Sequence, residues 1–573
     1  MNQPLRILIF TFALGLLTLG ALARSDQPAL AAPQAATYIV TRGDDPAPGG
    51  CLPTDCSLRE AVLASNANPG VDVIQLAYGG VYTLTIPASG GDTAATGDLN
   101  VTDTVNFVFP DARCNVACDA TIKGRAGWQD RILQIENNAQ VTMSSVVIRD
   151  GNLTGDVGGG IAINSGSVLT LTFATVTHNA AGQGGGGIYN GGRLTLLSSN
   201  VSYNQTNSAS NGGGGIINNG LLVLLSSSVS DNQVNSAADG GGIYSVSFSS
   251  LVTDDASISN NTAGGDGGGL EFLGDPQTSS LIYLTISHNT AGTDGGGLWS
   301  DRNGLALSNS TVVSNTAGNE GGGLMIYQGL LRIQGSTIGW NSATVAGGGL
   351  ATLTSSSALD ISNSALINNT SDIGGGYAEG ALATSIAMTW TNVTISGNRA
   401  TGSGGGLGLV DGTKFFNVSV VNNTADSDFN GTGDGGGICL DGSGQATLAN
   451  TLIAGNKDEG GQSPECNGGG TLNSLGYNLI RGSNGCVITG TTTGNLLGVN
   501  PLLGLLADNG GPTWTHALDT GSPAINAGNP AGCRDGSNSL LATDQRGDLR
   551  WNRCDIGAFE FQPQRVFLPL VRR

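Results

Sequence analysis

Asp426-Ser427-Asp428-Phe429-Asn430-Gly431-Thr432-Gly433-Asp434 carries the residue types and spacing of a calcium loop. Asp426, Asp428 and Asn430 fall at positions 1, 3 and 5 of D-x-D-x-N-G, Gly431 makes the sharp turn at 6, Thr432 offers its carbonyl at 7, and Asp434 stands at 9. Position 12 is Gly437, where a helix–loop–helix calcium site needs a bidentate Glu, so another acid must complete the shell; Asp441 is available. The plain alternative is an acidic turn, since Asp, Asn and Gly are what any exposed loop uses. Calcium is the one cofactor the sequence suggests, and nothing in it requires one.

Catalytic constellations are sparse elsewhere. Glycoside hydrolysis needs two carboxylates roughly 5–9.5 Å apart, and Asp254-Asp255 is the only adjacent acidic pair between residues 151 and 456. Neighbouring strand residues point to opposite faces, so that pair does not converge. Lyase chemistry on an acidic sugar needs Arg or Lys beside acids, but Arg193, Arg302, Arg332, Arg399 and Lys414 are scattered over separate repeats. His178 and His288 occupy a slot filled elsewhere by Tyr203 and Trp340, which makes them turn residues. Asp239, Asp266, Asp294, Glu320 and Asp434 each precede a Gly run and read as a solvated edge screened by water or cations. Tyr189, Tyr244 and Trp299 follow Gly runs and by alternation should face outward, where they bind sugar rings or cover the surface.

The elements that position these residues come from internal repetition. Eleven Gly runs, the first ending at Gly160 and the last at Gly437, recur every 26–31 residues. In the same register an aliphatic residue stands three before an Asn, from Val176/Asn179 to Ile453/Asn456. An apolar-x-apolar step, such as Leu169/Leu171 or Leu331/Ile333, lies five residues upstream of that aliphatic. Period-two alternation marks strands with one buried face. The units are too short and too rich in Gly for helices, and one coil buries nothing until another stacks on it. The fold class predicted is all-β: a single-stranded right-handed parallel β-helix of about 11 coils of ~27 residues. The repeated Asn are structural, expected to take left-handed backbone and to bond turn amides coil upon coil.

Composition agrees. Gly is 94 of 573 residues, 39% of residues are hydrophobic and only 12% are charged, which excludes a helix-rich enzyme and a disordered chain. The net charge of −20 argues against nucleic acid and anionic membrane surfaces. Residues 1–23 read as an export leader with Arg6, an apolar run and Ala21-Leu22-Ala23, and no later stretch is long enough to span a membrane. Cysteines fall in close pairs, Cys51/Cys56, Cys114/Cys118, Cys466/Cys486 and Cys533/Cys554, with Cys439 left over. An oxidising address favours local disulfides over zinc, although spacing leaves connectivity open. Ser57 with Glu60 is a capping box that starts a short helix before Asn68-Pro69-Gly70, and Arg59 reads as a salt-linked cap residue.

Three segments resemble known families. Cys56-Ser57-Leu58-Arg59-Glu60-Ala61, followed by Val73-Ile74-Gln75-Leu76, resembles the CSLREA domain of bacterial surface proteins. The Gly-run and aliphatic-x-x-Asn units are similar to repeats of polymorphic outer membrane proteins, with a third Gly for Ala and Val or Ile for Phe as departures. Asn500-Pro501-Leu502, Asp508-Asn509-Gly510-Gly511-Pro512-Thr513, Gly521 to Gly528, Asp544-Gln545-Arg546-Gly547 and Asp555 to Glu560 resemble the choice-of-anchor Q domain. These resemblances imply a secreted bacterial β-helix protein with a surface-attachment tail, here Pro563 to Arg573. The expected organisation is a leader at 1–23, a cap and first coils at 37–150, repeats at 151–456, an irregular β cap at 457–561 and a tail at 562–573. The expected role is structural or adhesive at the cell surface or outside the cell, without catalysis, with a glycan or a surface protein as partner. The alternative is an exported polysaccharide lyase or glycoside hydrolase on a pectate-lyase-like β-helix.

Overall fold

The computed structural model of the chain describes residues 35–89, 93–110, 119–210, 212–274, 279–301, 304–354, 357–382, 388–410, 412–442, 444–461, 463–551 and 553–562. The leader at 1–23, the Cys114/Cys118 pair, Arg302 and the tail from Pro563 lie outside the described residues.

Strand alternation in each repeat produces one coil of a parallel β-solenoid. In one coil, Val168–Thr172 and Thr175–Thr177 enter a 31-stranded sheet, Ala180–Ala181 a 12-stranded sheet and Ile188–Asn190 a 14-stranded sheet. The next coil repeats the register, Leu169 opposite Leu194 and Val176 opposite Val201, so like residues stack. Leu169, Leu171, Val176 and Ile188 are buried in one continuous apolar core running from Val40 to Ile480. The coils begin before residue 151, with Leu99–Val101 and Leu133–Ile135 already in the third sheet, and continue past 456 to Leu496–Leu497.

Two corners fix each coil. The five-residue step bends the first sheet at a residue of positive φ, 49° at Phe173 and 47° at Ser198. The second corner also needs a left-handed residue, but it is the one before the repeated Asn: His178 (54°), Tyr203 (55°), His288 (56°) and Trp340 (54°). This corrects the assignment of left-handed backbone to the Asn. Relieved of it, the Asn turns its amide inward. Asn289 Nδ2 donates to Ile258 O (3.0 Å) and to Asn315 Oδ1 (2.9 Å), and Asn289 Oδ1 accepts from Asn261 N and Nδ2 (3.0 Å each). The ladder runs from Asn179 to Asn456 and ends on a carboxylate, Asn456 Nδ2 donating to Glu465 Oε2 at 2.7 Å.

The first cap is a helix, Leu58–Ala67. Glu60 N donates to Ser57 Oγ, and the Glu60 carboxylate takes Ser57 N and Gly49 N (2.8 Å each). Fully buried Arg59 pairs with Asp45 (2.7 Å) and donates to the carbonyls of Ala94 and Gly97, which ties the helix to the first coils. Disulfides join Cys51 to Cys56, Cys466 to Cys486 and Cys533 to Cys554, and Cys439 is free.

The irregular C-terminal segment does more than end the stack. After the antiparallel pair Leu503–Ala507 and Thr515–Leu518, the chain turns back along the outer side of the first sheet. Gln545 Oε1 accepts from Thr394 Oγ1 (2.7 Å), His516 Nε2 meets Ser396 Oγ (2.8 Å), and Ala558 N donates to Ser419 Oγ (3.0 Å). Leu518, Ala524, Ile556 and Phe559 pack on Val421, Leu452, Ala454 and Leu479 in a second small core. Arg546 lies 3.7 Å from the centre of the Phe559 ring and pairs with Asp544.

Candidate functional site

The 426–434 segment forms a loop closed on itself. Asp426 is fully buried and both its oxygens accept from Gly431 N (3.1 Å). Asp428 takes the Asn430 side-chain amide (2.8 Å), and Asn430 Oδ1 accepts from Thr432 N (2.7 Å) and Thr432 Oγ1. Asp434 stands apart, its N–H donating to Ser403 Oγ and its buried Oδ1 without a partner. Asp441 is exposed beyond the next strand. The loop therefore brings Asp426, Asp428, Asn430 and Thr432 together through their own hydrogen bonds, with Asp434 apart. Among the described residues no three His, Cys, Asp or Glu side chains gather around a point that could hold a metal.

A different surface stands out on the outer side of the first sheet. On each short strand the residues flanking the buried aliphatic take the outward positions, and over the early coils they include Thr175, Asn200, Ser228, Ser230, Ser257, Ser259, Thr285, Ser287 and Thr311, with Thr177 and Ser202 buried and Val313 apolar. Ser228 Oγ donates to Asn200 Oδ1 (2.8 Å), which links two neighbouring coils of the row. Large aromatics stand at the corners bordering it. Phe173 is 61% exposed, Tyr203 57%, Tyr283 56% and Trp340 46%, all at positive φ. His178 stacks on Tyr203 with ring centres 5.4 Å apart. Asn, Asp, Ser, His or Gly fills these corners in other coils. A bulky side chain there costs backbone strain of about 1–2 kcal/mol and exposes apolar surface, offset in part by ring contacts at Tyr203 and Trp340.

From Ala365 onward the same outward positions read Ala365, Ile367, Thr394, Ser396, Ser419, Val421, Leu452 and Ala454, in register with the open row and all buried, and the returning C-terminal segment bonds to Thr394, Ser396 and Ser419 and packs on Val421, Leu452 and Ala454. Trp340 meets Trp514 edge-on (5.9 Å) where the covered part ends. One face thus has a docked half and an open half.

The third sheet carries a second set of outward residues. Tyr244, Glu271 and Trp299 are adjacent outward residues on successive coils. They do alternate outward, but Tyr244 and Trp299 are only 8% and 9% exposed, and the Gly run just before each comes close to its Cα or Cβ. A Cβ on Gly240 would lie 2.9 Å from Tyr244, and one on Gly295 2.8 Å from Trp299. The acids before the Gly runs are half-buried and hydrogen-bonded, which replaces the reading of a solvated edge: Asp239 Oδ1 accepts from Asp266 N (2.8 Å), Asp266 Oδ1 from Asp294 N (2.9 Å), and Asp294 Oδ1 from Glu320 N (2.9 Å). Arg193, Arg332, Arg399 and Lys414 lie away from these residues, on strands of the first two sheets.

Burial, then Asp239, Asp266 and Asp301, hold the Glu271 carboxyl well above its ordinary range. The folded state retains that proton where the unfolded chain loses it, so the associated stability is complete below about pH 4 and is lost as pH rises through the folded value. Burial raises Asp239, Asp294 and Glu320 in the same direction. Glu271→Gln should melt like the native chain near pH 4 and progressively above it toward pH 8. Melting curves across that range check it; parallel pH profiles would contradict the assignment.

Nothing in the sequence singled out Glu271 or the open polar face. The signals present were an acid in a slot otherwise filled by Tyr, Ile, Trp, Met, Ala, Gly or Cys, and the appearance of apolar residues (Ala365, Ile367, Val421, Leu452, Ala454) among the Ser and Thr that flank the repeat aliphatic after residue 364. No protein-family model matches the chain, and no curated protein does.

Proposed function

We propose that the protein is exported and acts at the cell surface or outside the cell as a non-catalytic adhesive β-solenoid, its open face binding an extended neutral glycan. The observation that carries this is the set of exposed aromatics at strained corners beside a row of hydroxyls and amides. Aromatic faces stack on the apolar faces of sugar rings, and the Ser, Thr and Asn row supplies donors and acceptors at coil spacing. Three disulfides suit an oxidising address, and the resemblance to CSLREA and choice-of-anchor Q proteins points the same way. Retention of the full chain on immobilised neutral polysaccharides tests the reading; no retention on any of them would refute it. Tyr203→Asn should weaken retention while raising stability by about 0.5–1 kcal/mol, because Asn accepts the left-handed corner that Tyr203 strains to occupy. A destabilised Tyr203→Asn protein would show instead that the ring serves packing.

A further inference from the structure

The returning C-terminal segment carries a cleft of its own. Pro530, Ala531, Leu540, Leu541, Arg550 and Trp551 line a cavity of about 480 Å³. Leu540 is 62% exposed and Trp551 51%, and Leu549, two residues before Trp551, is 70% exposed. The charge in the cleft is already engaged. Arg550 Nη1 donates to Glu560 Oε2 (3.1 Å), Nη2 to Asn392 Oδ1 (2.8 Å) and Gly557 O (3.0 Å), and Nε to Thr543 O (3.3 Å). An anion therefore gains little from this guanidinium, and what the cleft offers is apolar surface. Exposed apolar surface around a cavity marks a place where something docks.

The chain itself supplies a segment of matching chemistry. Gln562 Nε2 donates to Leu549 O (3.0 Å), so the chain leaves the described residues beside the cleft. Residues 563–565 reach about 10 Å when extended, whereas the step from Leu549 to Trp551 is about 7 Å. The next six residues, Val566-Phe567-Leu568-Pro569-Leu570-Val571, are all apolar. Pro569 favours extended backbone at Leu568, and extended backbone turns alternate side chains to one side. Charge agrees as well. Arg565, Arg572 and Arg573 flank the apolar run with no acid among residues 563–573, in a chain of net charge −20. Asp548 adjoins Leu549, and Asp535 lies two residues beyond Cys533 of the same cleft. We propose that Val566–Val571 seats in this cleft, so that the protein binds its own C-terminal tail. The tail is thereby masked, and whatever attaches to it must compete with the cleft. The cleft shares no residue with the open polar face, so either reading can fail without the other.

Trypsin digestion of the full chain, with release of residues 566–573 after Arg565 followed by mass spectrometry, tests the proposal. The native chain should release this peptide slowly. Leu540→Asp with Trp551→Ala should release it at least about tenfold faster, because proteolysis follows the open population. Both positions are exposed, so the melting temperature should hold. Phe567→Asp with Leu570→Asp should free the tail equally while leaving every cleft residue native. A synthetic peptide of residues 566–573 should then bind this tail variant saturably and the native chain far more weakly, since the native cleft is already filled. Equal release from the native chain and the tail variant would overturn the proposal, as would equal peptide affinity for the two. Protection that falls on dilution of the native chain would also overturn it, and would assign the cleft to the tail of a second copy.

Discussion

Replacing Asn289 with Ala is expected to cost the solenoid about 3–5 kcal/mol. The amide oxygen serves two buried donors of the preceding coil, Asn261 N and Nδ2, and the amide nitrogen serves Ile258 O and Asn315 Oδ1. Asn289 itself is fully buried, so water does not replace what is lost. Each orphaned buried group costs about 1–3 kcal/mol, and at least two donors are orphaned together. Denaturant unfolding of Asn289→Ala beside an exposed-site control such as Thr285→Ala gives the difference. A loss under about 1 kcal/mol would mean that the ladder is incidental to the stacking.

Gly268→Ala is expected to destabilise by about 3 kcal/mol or more, through contact with backbone that has nowhere to go. A Cβ there would stand 2.4 Å from the carbonyl carbon of Thr290 and 2.5 Å from Gly296 O, both in the next coil, whose spacing is set by parallel strand pairs on either side. Gly155→Ala is the control: nothing lies within 4 Å of its Cβ position, and the change should stay within about 0.5 kcal/mol. Equal effects of the two substitutions would show that the Gly runs answer to chain flexibility and not to close coil contact.

The coil was legible in the sequence because its determinants are local. Leu169 and Leu171 alternate into the core, Val176 follows after a fixed corner, and Asn179 repeats wherever the second corner must be tied down. The capping helix was legible for the same reason, since Ser57 and Glu60 meet within one turn. What alternation does not reveal is what lies over an outward residue. Tyr244 and Trp299 point outward as expected, yet they are buried. Glu271 became a buried acid by the same geometry. The return of the C-terminal segment depends on partners more than a hundred residues apart, Thr394 with Gln545 and Ser396 with His516, and no local pattern encodes such a pairing. In the 426–434 loop the spacing was legible, and what it did not show are the hydrogen bonds that close the loop, Gly431 N to Asp426 and Thr432 N to Asn430.

Functional reading and fold meet on the open half of the first-sheet face, where aromatics occupy corners that strain favours leaving to Asn or Gly. The direct test is a binding titration of the full chain carrying Phe173→Asn, Tyr203→Asn and Tyr283→Asn together, against whichever neutral polysaccharide retains the native protein. The predicted result is a protein that melts at or above the native temperature and binds at least about tenfold more weakly, a loss of about 1.4 kcal/mol or more. Native affinity in that triple variant would contradict the assignment of this face as the binding surface.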